Sequence, residues 1–456
     1  MAGPAASVHE EALIRPISTF RPKLFLGSLV TGLLVALLFY SWGYQIVNDI
    51  GVAGINRPVF WGFYIVNFVF WIGISHAGTL ISAILRVTQA EWRRPVTRCA
   101  EAITTFALMI GGLFPLIHLG RPWIFWYMVP IPTDRGIWPN FRSPLMWDIM
   151  AITTYLLGSV LYLLLPMIPD FAILRDRAMK ESPKSLRTLF FRVAALGWRG
   201  TPQQWFSLEA AIKSMAVIII PVAVSVHTIV SWDFAMAIQP MWHSTIFGPY
   251  FVVGAIYSGV AVLMVAMYLL RRGLNIGEYL SDKVFNNLGL MFLAFALLWG
   301  YFTFAEHLTV WYGNEHAERA VFDYRIFGGY GWLFWTMIVV NVVIPLSILP
   351  FPKGRKPLGT AIVGLGVLLG MWIERFLIVV GTLRFPRLDF NVGTYAPTWV
   401  EIGVLVGSVG LFGFLYFTFV QLAPIVSLWE VREGEHVAAR AGGKHQPALE
   451  PAREEA

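Results

Sequence analysis

Ten stretches of this chain are each long and apolar enough to cross a bilayer, and nothing else about it restricts the fold so tightly. A span needs about 20 mostly apolar residues. The qualifying segments fall near 24–47, 59–86, 98–120, 145–168, 207–234, 246–272, 284–311, 328–350, 358–383 and 398–428. Hydrocarbon offers no partner to a free N–H or C=O, so a spanning chain must be helical or a closed barrel. These runs are continuous and far longer than the alternating strands of a barrel. The expectation is an all-α polytopic membrane protein with ten transmembrane helices. Only 13% of its residues are charged, against about 25% in soluble domains.

Lysine and arginine set the orientation. One side carries 24 of the 34, among them Arg93, Arg94, Arg98, Arg175, Arg177, Lys180, Lys184, Arg271, Arg272, Lys353, Arg355 and Lys356. The other side carries 8: Arg57, Arg121, Arg135, Arg142, Arg319, Arg325, Arg384 and Arg387. Lys213 and Arg375 fall within spans, where Lys213 reads as a snorkelling residue. The bias places both termini in the cytoplasm. It also accounts for the net charge of +7 without nucleic acid. The first 23 residues lack an apolar core followed by a cleavage site, so no signal peptide is expected.

Short look-alikes hint at an internal repeat. Val59-Phe60-Trp61-Gly62-Phe63-Tyr64 opens span two, and Ile246-Phe247-Gly248-Pro249-Tyr250-Phe251 opens span six. Span three ends near His118-Leu119 and span seven near His307-Leu308. A shift of four helices preserves direction, predicting two four-helix bundles, spans 2–5 and 6–9, with spans 1 and 10 peripheral. The corresponding divisions are a cytoplasmic segment 1–23, a first helix and outer loop 24–58, bundles at 59–234 and 235–383, a loop and last helix at 384–429, and a tail at 430–456. The basic stretch 169–206 reads as a cytoplasmic surface segment. The polar Ala/Gly/Glu-rich tail reads as disordered.

Ionisable groups in or beside the spans are the candidates for chemistry, because their burial is costly. Span three ends on His118, followed by Leu119-Gly120-Arg121-Pro122-Trp123, and span four opens on Pro144-Leu145-Met146-Trp147-Asp148. An imidazole and a carboxylate thus meet one membrane edge. Such a pair suits hydroquinone oxidation, which releases two protons with two electrons. Arg121, Trp123, Trp126, Tyr127, Met146 and Trp147 are candidate contacts for a flat ring. The competing explanation is a histidine at a helix C-terminus within an ordinary aromatic belt, and spacing alone leaves both open. Deeper lie His76, His227, Asp233, Glu306, His307, Glu374 and Arg375, candidates for a proton pathway or for structural pairing. Glu374 and Arg375 are adjacent and diverge around a helix, so each is expected to need its own partner. Cys99 is the sole cysteine, so this chain holds neither disulfide nor iron–sulfur cluster, which takes about four thiolates. No ladder of histidine pairs and no C-x-x-C-H appears. No bound haem and no metal site are expected.

The chain resembles the NrfD/PsrC-like integral membrane subunits that interact with quinones, and within them those of alternative complex III. The resemblance rests on Asn56-Arg57-Pro58-Val59-Phe60-Trp61-Gly62, Ile74-Ser75-His76-Ala77-Gly78-Thr79, His118-Leu119-Gly120-Arg121-Pro122, Ser225-Val226-His227-Thr228-Ile229-Val230-Ser231-Trp232-Asp233 and Trp372-Ile373-Glu374-Arg375-Phe376. It covers essentially all ten spans. It implies a subunit that binds menaquinol or ubiquinol near the outer face, with His118 and Asp148 at the family's quinol-site positions. It further implies an iron–sulfur subunit docked there, c-type cytochrome subunits, and a second NrfD-like membrane subunit. Proton translocation through the deeper polar residues is a further implication. Two other readings are the membrane anchor of a polysulfide or molybdopterin reductase and a secondary transporter. A transporter is expected to break its spans and hold its charges at the midplane. Here most of them cluster toward the outer edge.

Overall fold

A computed structural model describes residues 8–129, 136, 141–387 and 393–441, and among them all regular structure is helical. Ten helices qualify as membrane spans, in agreement with the ten apolar segments. They are α2 (Pro22–Asn48), α3 (Gly62–Val87), α4 (Thr97–His118), α5 (Pro144–Leu164, continuing into α6, Ile168–Glu181), α8 (Pro202–Ala235), α9 (Phe247–Leu274), α10 (Asp282–Gly313), the pair α12 (Gly331–Ile338) and α13 (Ile344–Ile348), α14 (Pro357–Leu383) and α15 (Trp399–Leu422). A π turn at Val339–Val343 joins α12 to α13. The shorter helices are α1 (Val8–Ser18), α7 (Leu186–Ala194), α11 (His316–Ile326) and α16 (Leu428–Ala441).

Local chemistry explains where the helices start and stop. Proline occupies an opening position of α2, α5, α8 and α14, where its missing N–H costs nothing. Thr201 and Gln204 form a capping box at α8, as do Thr398 and Glu401 at α15. Asn275 and Asn314 end α9 and α10 in the left-handed region, the conformation asparagine tolerates best after glycine.

Packing follows from small residues and interhelical polar contacts, since lipid supplies little hydrophobic drive between helices. Helix α3 packs on α4, α8, α9 and α14; α5 packs on α4 and α8; α9 packs on α8, α10 and α14. Helices α2 and α15 lie together. A Cβ on Gly407 would stand 2.5 Å from Leu38 Cβ, so glycine is what allows those two backbones to approach. Gly78 does the same between α3 and α4, where a Cβ would fall 1.8 Å from the Ala100 carbonyl oxygen. Trp71 Nε1 donates to Ser408 Oγ (3.1 Å) and Trp372 Nε1 to Asn67 Oδ1 (2.9 Å).

One expectation needs correction. The tail is helical over Leu428–Ala441, because its acids meet buried arginines. Arg98 donates to Asp170 Oδ2 (2.5 Å), and Asp170 also accepts the Leu428 and Trp429 N–H groups at 3.1 Å each. Glu430 is held by Arg86 (2.5 Å) and Arg93 (3.4 Å), and Arg94 binds Glu433 (2.6 Å). Burial alone raises the Glu430 carboxyl, but the charges of Arg86 and Arg93 outweigh it and hold it below the usual carboxylate range. The remainder of the tail, 442–456, lies outside the described residues, as does Arg135. The stretch 169–206 contains most of α6 and all of α7. We call the side bearing α1, α7 and α16 the basic face and the other the site face.

Candidate functional site

Helix α4 ends at His118 and its neighbour α5 begins at Pro144, which brings His118 and Asp148 to the site face. The chain turns away after α4 at Gly120, whose φ of 68° favours glycine. A short 3-10 helix then covers Pro122–Met128. His118 is partly buried, its ring 6.3 Å from that of Tyr64, and its Nδ1 is buried without a partner among the described residues. Behind it the Tyr64 hydroxyl donates to Gln45 Oε1, and Gln45 Nε2 donates to the Ile117 carbonyl (2.8 Å). These contacts fasten α2, α3 and the end of α4 together.

The carboxyl that Asp148 meets is Asp233, at the far end of α8. The two side chains lie within hydrogen-bonding reach of each other. Asp148 is 5% exposed, and the Oδ1 atoms of both aspartates meet no donor among the described residues. Two carboxyls this close bond only through a shared proton. The adjacent residues extend the pattern: Trp147 on α5 and Trp232 on α8 meet edge to face at 6.1 Å. Trp147 Nε1 donates to the Phe141 carbonyl (2.8 Å), which fixes its plane. Met146 is buried, whereas Arg121, Trp123 and Trp126 are exposed and Tyr127 is partly buried. No hydrogen bond links His118 to Asp148 among the described residues. The site therefore consists of an unpartnered imidazole, a carboxyl pair and a two-tryptophan wall on three consecutive bundle helices. The sequence offers Asp233 only as a pathway residue, since α5 and α8 are far apart in the chain.

The deeper candidates form a line of contacts from α3 through α8, α9 and α14 to α10. His76 on α3 and His227 on α8 pack with ring centroids 4.4 Å apart, and Tyr155 flanks His76 at 4.8 Å. His76 Nδ1 bonds to the Ile72 carbonyl (2.7 Å), leaving its Nε2 buried and unpaired. His227 lies 6.0 Å from Phe251, over whose ring the Arg375 guanidinium sits at 4.9 Å. Arg375 Nη1 binds Glu374 Oε2 at 2.5 Å. That overturns the expectation of separate partners: both side chains reach over one buried patch, where pairing offsets the cost of desolvating each charge. Trp299 Nε1 donates to Glu374 Oε1 (3.0 Å). Beyond it, Thr303 donates to the Tyr250 hydroxyl (3.3 Å), and its carbonyl accepts from His307 Nδ1 (2.8 Å). Glu306 stands apart, bound by Ser244 Oγ (2.9 Å).

Among the described residues, sequence reasoning missed four buried acids, Glu101, Asp170, Glu401 and Glu430. Glu101 accepts from Ser82 Oγ at 2.6 Å. Its signal was visible, a carboxylate inside an apolar span. His243, Glu315 and Glu318 bring one ligand atom each within 4.8 Å of one another on the site face. His243 already meets Glu318 (3.4 Å), and Arg387 meets Glu315 (4.0 Å), so internal pairs account for the trio. An apolar groove of about 640 Å³ runs between α10 and α12–α13, lined by Phe304, His307, Phe334 and Trp335.

Residues 51–386 match the family described as polysulphide reductase, NrfD. The chain is 29% identical to the third (C) component of the selenate reductase of Mesobacillus selenatarsenatis, over 80% of this chain and 86% of that one. It is 25% identical to a membrane component, also designated C, of a putative dimethyl sulfoxide reductase of Halobacterium salinarum, over 90% and 94%. It is 23% identical to an Hdr-like menaquinol oxidoreductase integral membrane subunit of Archaeoglobus fulgidus, again over 90% and 94%.

Proposed function

Since the chain belongs to the NrfD family of polysulphide-reductase membrane subunits, we propose that it binds and oxidises a quinol at the site face and delivers the electrons to a partner subunit. In its fullest form the reading is the quinol-oxidising subunit of an alternative complex III, with an iron–sulfur subunit docked at the site face, c-type cytochromes beyond it, and a second NrfD-like subunit beside it. The termini then lie in the cytoplasm of a bacterial inner membrane, as the arginine and lysine bias indicates.

The observation that carries the reading is the neighbouring Asp148 and Asp233 carboxyls near the helix ends that also hold His118, whose Nδ1 has no partner among the described residues. A hydroquinone becomes a quinone by losing two protons and two electrons. His118 Nδ1 takes one proton from a ring hydroxyl. The carboxyl pair, with one proton already shared between its members, takes the second. Trp147 and Trp232 hold the ring between these acceptors. The electrons leave to an iron–sulfur cluster of the partner, since one buried cysteine cannot ligate a cluster. The His76–His227–Arg375–Glu374 line then supplies groups for proton movement across the interior. Quinol:acceptor turnover by the assembled complex tests this: His118→Gln should abolish most activity without loss of assembly, and full activity would refute it.

The names of two relatives favour a second reading, the membrane anchor of a molybdopterin or polysulfide-type reductase. It uses the same site for the same chemistry but sends the electrons to a reductase. Co-purifying subunits separate the two: multihaem cytochromes support the first, and a molybdopterin subunit the second.

A further inference from the structure

On the basic face, well away from the carboxyl pair, α6, the loop before α8 and α16 enclose a cavity of about 660 Å³. Its wall holds two hydrogen-bond donors that the protein does not use. A Cβ on Gly200 would stand 3.9 Å from Nε1 of both Trp198 and Trp205, so the two indole nitrogens flank one point beside Gly200. Neither N–H meets a protein acceptor among the described residues, whereas Trp429 Nε1 donates to the Pro166 carbonyl (2.9 Å). An indole N–H donates only, so the missing partner is an acceptor.

The charges around this point are compatible with an anionic acceptor: Arg175, Arg199 and Arg432 share the wall with three carboxylates, Asp176, Glu209 and Glu433. Each is answered: Asp176 by Arg175 (2.8 Å), Glu209 by Lys213 (3.4 Å), Glu433 by Arg94 (2.6 Å). Lys213 and Arg94 stand outside the wall, and Arg199 within it adds a positive charge beyond those that answer the acids.

Two further features connect the site to the bilayer. A second groove of about 320 Å³ shares Trp198 and runs along Leu165, Leu208 and Ala211. Next to it, α7 exposes Leu186, Leu189, Phe190 and Val193 on one face, with Arg187 and Arg192 elsewhere on the helix. That is the pattern of a helix lying in the membrane interface. We propose that this cavity binds an anionic membrane phospholipid. Trp198 and Trp205 donate to the phosphodiester, Arg199 supplies the counter-charge, and an acyl chain lies along the adjoining groove. A basic recess between helix ends is a recurring way to hold such a headgroup. Free phosphate shares the headgroup chemistry but has nothing to place in the apolar groove.

The test uses the full chain in the complex with which it purifies, placed in nanodiscs of phosphatidylcholine with graded phosphatidylglycerol, and counts retained lipids by native mass spectrometry. We expect one tightly held phosphatidylglycerol per chain. A combined Trp198→Phe and Trp205→Phe variant, which keeps an aromatic ring at each position and removes both donors, should weaken retention by roughly tenfold. Arg199→Gln should weaken it independently, and covers the case in which the double variant fails to assemble. Millimolar inorganic phosphate should not displace the lipid. The proposal is overturned if phosphatidylcholine is held equally, if phosphate competes at equal affinity, if neither variant changes retention, or if a partner subunit fills the cavity in the complex.

Discussion

Replacing Asp148 with asparagine separates proton acceptance from packing. Asparagine matches the carboxyl in volume and can still hydrogen-bond Asp233, so the buried junction of α5 and α8 should survive. It cannot take up a proton. Because the partner Asp148 reaches is another carboxyl, the two aspartates should behave as one acceptor that shares and receives protons. A positioned acid–base group contributes about 10²–10⁴-fold, so Asp148→Asn should reduce kcat by that amount while leaving assembly intact. Asp233→Asn should give a loss of similar size. Residues acting as a unit are not additive, so the double variant should be no more than a few-fold worse than the weaker single. The assay is quinol:acceptor turnover by the purified complex in liposomes, with the amounts of all subunits measured on the same preparation. Losses that multiply in the double variant, or singles slowed less than about threefold, would refute the shared-acceptor reasoning.

Glu374→Gln should lower the number of protons moved per electron in liposomes while preserving quinol oxidation; an unchanged ratio returns the Glu374–Arg375 pair to packing. Glu430→Ala strands Arg86 and should destabilise the basic face by about 3–5 kcal/mol, seen as release of α16 to proteolysis. The pH dependence has a definite sign. The folded-state value of Glu430 is depressed, so its contribution is complete above the ordinary value of 4.5 and is lost as pH falls through the lower folded value. Protection of α16 should therefore fail in acid and not in alkali. Gly407→Leu should force α15 from α2 and lower the thermal midpoint in detergent, since overpacking costs about 1–3 kcal/mol or more; an unchanged midpoint argues against close backbone contact there.

The spans were legible because apolar length is a local property, and all ten segments coincide with helices. The placement of His118 and Asp148 near adjoining ends of α4 and α5 was legible for the same reason, since consecutive antiparallel helices share a membrane side. Partners brought together by helix packing were not. Asp148 and Asp233 are 85 positions apart in the chain, and nothing in either local sequence marks the other. Adjacency misled for Glu374 and Arg375, because long side chains on neighbouring positions can still converge where burial penalises separation. The tail misled too: its composition is that of a disordered segment, yet Glu430 and Glu433 find arginines supplied by α3 and the turn that follows it.

Photolabelling the assembled complex with an azido-quinone, followed by peptide mapping, tests the central claim most directly. Quinol oxidation at the carboxyl pair predicts label on the peptides carrying His118 to Met128, Met146 to Asp148 and His227 to Asp233, and its loss in Asp148→Asn or on addition of excess quinol. Specific label confined to the α10–α12 groove around Phe304 and Trp335 would contradict it.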